Sequence, residues 1–127
     1  MIRDLARLLA EAAPVLHPRA VAVVGLDGFA VPPGLEMICV FREAEGLTLY
    51  LDAEAAEAAG LPVAFHAAWI TMSVESALDA VGFTAAFAAA LAEKGIACNV
   101  MAGARHDHLF VPWERREEAM RVLRGLR

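Results

Sequence analysis

The run Gly82–Gly95 constrains this chain more than any other stretch. Residues 83–94 read Phe-Thr-Ala-Ala-Phe-Ala-Ala-Ala-Leu-Ala-Glu-Lys, with a glycine immediately before and after. Alanine is the strongest helix former, and glycine is the common residue just past a helix end. The spacing therefore predicts a helix over 83–94. Apolar runs of strand character flank it at Trp69–Val74 and Ile96–Met101. A turn at Ala102-Gly103-Ala104 follows, then a strand at His106–Pro112. The chain ends in an amphipathic helix, Glu114–Leu126, whose apolar side carries Ala119, Met120, Leu123 and Leu126.

Strand, helix, strand, strand, helix with short loops is the ferredoxin-like pattern, in which helices lie on one face of an antiparallel sheet. The first half reads as a looser version. Leu5, Leu8, Leu9 and Ala12 fall at helical spacing within residues 2–12, and Pro14 ends that helix. Ala20–Val24 is a short strand. Residues 25–34 hold three glycines and two prolines and form a loop. Met37–Phe41 and Leu47–Leu51 form a hairpin across Glu45-Gly46. Asp52 caps a short helix through Ala59, Gly60 ends it, and Pro62–Phe65 returns to extended chain. The expected class is thus α+β, with two degenerate βαββαβ-like halves at 1–62 and 63–127, packed as one compact unit.

Length and charge narrow the function. The chain has 127 residues, enough for one ordinary domain or two very small ones, and 59% of them are hydrophobic. That apolar excess hints at an oligomer. No apolar run reaches the ~18 residues of a membrane span. The charged N-terminus does not resemble a signal peptide, so a cytoplasmic setting is expected. The net charge of −5 argues against nucleic acid. The arginines at 115, 116, 121, 124 and 127 are diluted by Glu114, Glu117 and Glu118, as on a solvated helix face. Cys39 and Cys98 lie in apolar runs without a CxxC partner and are expected as reduced core thiols. Phosphate-cradling, nucleophile-elbow and HExxH motifs are absent.

Four motifs in order carry a family resemblance. They are Phe41–Leu49 (FREAEGLTL), Leu78–Ala86 (LDAVGFTAA), Ile96–Gly103 (IACNVMAG) and His106–Pro112 (HDHLFVP). Together the chain resembles a family of small bacterial ACT-domain proteins, from about Leu16-His17-Pro18 to the C-terminus. The resemblance implies an ACT-type fold, often with two units per chain. It also implies binding of small molecules, most often amino acids, commonly at subunit or repeat interfaces. A homodimer and a regulatory role on another protein follow as expectations. This chain departs from its relatives at Val74–Leu78 (VESAL, where they tend to read VHSSL) and at Ala104-Arg105, where they often carry aromatics.

The resemblance places the ligand at the loop between the first strand and first helix of the unit, here Ser73 to Thr84. A helix N-terminus offers N–H groups and partial positive charge to a carboxylate. Gly82 would allow close backbone approach, and Glu75 or Asp79 could meet an ammonium group. The candidate set there is Ser73, Glu75, Ser76, Asp79, Val81, Gly82, Phe83 and Thr84. The plainer reading is that Gly82 starts the helix, Thr84 caps it and the acids are solvated. Asn99, polar within an apolar strand, either binds a ligand or pins a loop, and Gly103 is a turn glycine. His106 and His108 share one strand face, with Asp107 on the other. Two histidines fall short of a zinc set, so the expected roles are hairpin hydrogen bonds or a pocket wall. Trp69 and Trp113 are expected in a core or interface. No catalytic residue, metal or cofactor is assigned. The leading expectation is a non-catalytic, amino-acid-binding regulatory module. A ligand-free dimerisation module comes next, then a small enzyme using His106 and His108.

Overall fold

The structure, a computed structural model, describes residues 1–126. It contains α1 (Leu5–Glu11), β1 (Pro14–Leu16), β2 (Val21–Gly25), β3 (Met37–Arg42), β4 (Leu47–Asp52), α2 (Ala53–Ala58), β5 (Val63–Met72), α3 (Phe83–Glu93), β6 (Asn99–Ala102), β7 (Asp107–Pro112) and α4 (Arg116–Arg124). A single 3-10 turn, Trp113–Arg115, leads into α4. The chain divides into two compact units, Pro18–Ala67 and Met1–His17 with Ala68 onward.

In the Pro18–Ala67 unit the strands run β3-β4-β2-β5, with β3–β4, β2–β4 and β2–β5 all antiparallel. Alternation along β4 buries Leu47, Leu49 and Leu51, which pack with Ala22, Val24, Ala53 and Ala56. The Asp52 carboxylate accepts the Ala55 N–H at the start of α2 and is forked by Arg19 at 2.6 and 3.1 Å. Arg19 holds that carboxyl below its usual range, and the cap bond from Ala55 adds to the effect. The β3–β4 hairpin turns at Gly46, where a Cβ would sit 1.8 Å from the Leu26 carbonyl oxygen. Only glycine fits there.

In the other unit the order is β1-β5-β7-β6. α3 buries Phe83, Phe87 and Leu91, four residues apart, and α4 buries Ala119, Met120 and Leu123. These meet Ala68, Ile70, Met72, Leu109 and Val111 from one sheet face, with Leu8 and Ala12 from α1. Phe83 and Phe87 touch edge to face at 5.3 Å between centroids.

Several local expectations are corrected. Pro14 ends α1 but also opens β1, pairing with Met72. Proline is tolerated as the first residue of a strand because a missing N–H costs little there. The separate extended segments at 62–65 and 69–74 are one ten-residue strand, β5. β6 begins at Asn99 rather than Ile96, whose side chain drops into the core. By compactness residues 1–17 group with those from 68 onward, where β1 pairs with the second part of β5.

Candidate ligand site

The segment joining β5 to α3 follows from where β5 stops. Beyond Met72 the Ser73 N–H still reaches the Ala13 carbonyl, and the chain then leaves the sheet. Val74, Ser76 and Ala77 turn inward, while Ser73, Glu75, Leu78, Asp79 and Val81 are exposed. The buried Ser76 hydroxyl donates to the Asp107 carboxylate at 3.3 Å. Burial pushes the Asp107 carboxyl up, and the Ser76 bond partly offsets it.

The outer edge of this segment is taken by the start of the chain. The Ile2 N–H donates to the Glu75 carbonyl at 3.0 Å, and the Ala77 N–H donates to the Ile2 carbonyl at 2.9 Å. The two stretches form a parallel bridge at Ile2 and Ser76. Arg3 pairs with Asp79 at 2.9 Å. Leu5 lies over Gly82, which has φ +98°, and a Cβ there would meet Leu5 Cδ2 at 3.1 Å. α3 has no side-chain cap, so Thr84, exposed in the first turn, does not serve as one. Phe83 points into the core and carries no accessible side-chain surface for a ligand.

The opposite sheet face holds a polar chain that crosses three strands. His106 and His108 lie on the side away from buried Asp107, as strand alternation requires. Trp69 Nε1–H donates to His108 Nδ1 at 3.0 Å. The Thr71 hydroxyl lies 2.9 Å from the same nitrogen and 2.8 Å from His17 Nε2. The His17 ring stacks on Trp69 at 3.7 Å, and the His17 backbone N–H donates to the Trp69 carbonyl. Burial lowers the pKa of both imidazoles; His108 further lowers His17, and His106 further lowers His108. Gly103 closes the hairpin by donating to the His106 carbonyl at 2.9 Å. A Cβ at Gly103 would stand 2.8 Å from that oxygen and 3.4 Å from His108 Nε2.

The structure thus brings the candidates together in two groups. Ser73–Thr84 meets Asp107 on the helix side, and Gly103, His106 and His108 gather on the open side. Asn99 is exposed on edge strand β6, opposite Phe110, and not in an apolar interior. Among the described residues no three His, Cys, Asp or Glu side chains converge on a metal position. Sequence reasoning missed His17 and Thr71. The period-two spacing of Trp69 and Thr71 was a usable signal; His17 had none, because β1 itself was not foreseen. Nor did it foresee that residues 2–5 lie along the segment.

ACT-domain models match residues 2–68 and 65–125, between them nearly the whole chain. A crystal structure of a protein of unknown function from Vibrio cholerae, described as a possible transport protein, is 42% identical, with TM-score 0.85 over 96% of this chain and 95% of that one. The chain belongs to the ACT-domain family. Two more distant structures share its fold. A protein from Agrobacterium tumefaciens is 16% identical, with TM-score 0.72 over 91% of this chain and 88% of that one. The ligand-free regulatory subunit of aspartate kinase from Thermus thermophilus is 14% identical, with TM-score 0.68 over 92% and 97%. No functionally curated protein matches the chain. The ACT family is typically regulatory rather than catalytic, and this protein carries two ACT matches in tandem. No helix among the described residues is long and apolar enough to cross a membrane.

Proposed function

We propose that this ACT protein is a non-catalytic regulatory module that binds an amino acid along Ser73–Thr84 and acts on another protein in the cytoplasm. One observation carries the reading. The Glu75 carbonyl and the Ala77 N–H point out of the segment and hold one extended residue between them. A free amino acid offers a matching donor and acceptor in its ammonium and carboxylate. Asp79 adds an exposed negative charge, and Ser73, Val81, Gly82 and Thr84 complete the surface, with Phe83 supporting it from the core. Ser76 anchors the segment on Asp107. In this reading Gly103, His106 and His108 position the Asp107 backbone from the far side, and Asn99 marks the rim.

A thermal-shift screen of the twenty amino acids at millimolar concentration tests this. A ligand at about 100 times its Kd stabilises the folded state by roughly 2.7 kcal/mol, several degrees in Tm for a domain of this size. The expected result is a shift with one or a few amino acids that is lost in Asp79→Ala, whose unliganded Tm stays put. A flat response across the panel removes the amino-acid reading.

A second reading, assembly through a homodimer, is favoured by strand β3. It is an edge strand carrying Val40 at 42% and Phe41 at 60% exposure. Exposed apolar edges invite pairing with another chain.

A further inference from the structure

We infer that Met1–Arg3 is an autoinhibitory strap, an internal occupant of the Ser73–Gly82 segment that a ligand must displace. The inference builds on the binding reading above and adds a competitor encoded in the chain. Ile2 uses both of its backbone groups on the segment, accepting from Ala77 and donating to Glu75. Those are the two groups a bound amino acid needs. Arg3 covers Asp79, the acid placed to meet an ammonium.

The Arg3–Asp79 ion pair has side chains 67% and 71% exposed, and pairs of that kind contribute little to holding the strap in place. The anchor lies beyond it. The Asp4 carboxylate accepts the Arg7 N–H at 2.9 Å and caps α1, and Leu8 is fully buried in the core. Asp4 marks the boundary between α1, held in the core, and Ile2, which is held by two backbone hydrogen bonds and is only partly buried against that core. A tethered segment competes at high effective concentration. The apparent ligand affinity is the intrinsic one multiplied by the fraction of molecules in which the strap is open.

The test uses the full chain and a chain from which Ile2 and Arg3 are deleted, keeping the Asp4 cap. Each of the twenty amino acids is titrated into both, and the peptide Met-Ile-Arg-Asp is titrated into both, with the Ala77 and Gly82 amides followed by NMR. The peptide is expected to move the Ala77 amide of the shortened chain and to leave the full chain unchanged. Any amino acid that binds is expected to do so about fivefold tighter or more in the shortened chain, and to displace the peptide from it. Full-length Ile2→Pro, which removes the N–H given to Glu75, should show the same gain and covers the case of a shortened chain that misfolds. Equal affinity in all three proteins, or an Ala77 amide unmoved by the peptide, overturns the strap. If the peptide moves Ala77 while no amino acid binds any form, the strap stands and the amino-acid reading falls.

Discussion

His108 accepts at Nδ1 from the Trp69 indole N–H. An indole nitrogen can only donate, so Nδ1 must keep its lone pair and the ring proton belongs on Nε2. Thr71 can then pass a hydrogen bond from His17 to His108, and the chain is satisfied only while His108 is neutral. A proton on Nδ1 would set two donors face to face. This agrees with the lowered pKa of His108 and of His17, for which burial is the leading cause. A histidine whose pKa is lower folded than unfolded takes its proton more readily when unfolded. Stability contributed here is therefore intact above the ordinary value of about 6.5 and declines as pH falls below it. Asp107, pushed up by burial, acts in the opposite sense across the carboxylate range. Urea unfolding should show a lower midpoint at pH 5.5 than at pH 7.5, and His108→Gln, which keeps an acceptor but cannot charge, should flatten the difference. Equal pH dependence in the two proteins would show that His108 does not carry the effect. Strand alternation placed His106 and His108 on one face from sequence. The partners Trp69, Thr71 and His17 come from other strands, and no local pattern names them.

At the scale of elements, α3 was the most legible and β1 the least. Eleven residues with alanine spacing and a glycine on each side leave one reading for α3. Three residues starting at a proline carry no measurable period, yet β1 pairs with Ile70, Thr71 and Met72 and fills the last place in its sheet. With it comes α1, whose Leu8 and Ala12 enter the same core as Phe87 and Leu109. Truncating a buried leucine alone costs about 2–5 kcal/mol, a large part of the ~5–15 kcal/mol that holds a domain together. Residues 63–127, although they read as a complete half, should therefore show no cooperative melt in urea by near-ultraviolet circular dichroism. Adding a peptide of residues 1–17 should restore one. A cooperative transition in the fragment alone would mean that β1 and α1 are dispensable.

For the molecule as a whole, the same strand order is built twice by different routes. Pro18–Ala67 takes all four of its strands from one continuous stretch, with an irregular 26–36 connection where the other unit has a helix. The other unit borrows its last strand from the N-terminus. In the first of these β3 is left as an edge, and its sequence is self-complementary. Antiparallel pairing of two copies centred on Cys39 sets Glu36 against Arg42, Met37 against Phe41 and Ile38 against Val40. Opposite charges and apolar pairs across strands each favour pairing. The Cys39 thiol, pushed up by burial, is little ionised at neutral pH. Mild oxidation at alkaline pH with oxidised glutathione should give a disulfide-linked dimer that survives Cys98→Ala and disappears in Cys39→Ala. Val40→Lys should yield a monomer in light scattering. A wild-type monomer at millimolar concentration would remove the β3 dimer.

The sequence by itself determined the fold class, most of the strands and helices, the turn glycines, and which histidines share a strand face. It also carried the family through four motifs. Each of these is written in short-range spacing: a period of two or 3.6, a cap, or a positive-φ turn. The tertiary structure alone decided that the N-terminal strand completes the C-terminal sheet, that His17 and Thr71 join His108, and that Ile2 occupies the segment before α3. Those contacts join residues 37 or more positions apart. Backbone hydrogen bonding is blind to side-chain pattern, so Ile2 can satisfy Glu75 and Ala77 without leaving a trace in the sequence that a local reading could find.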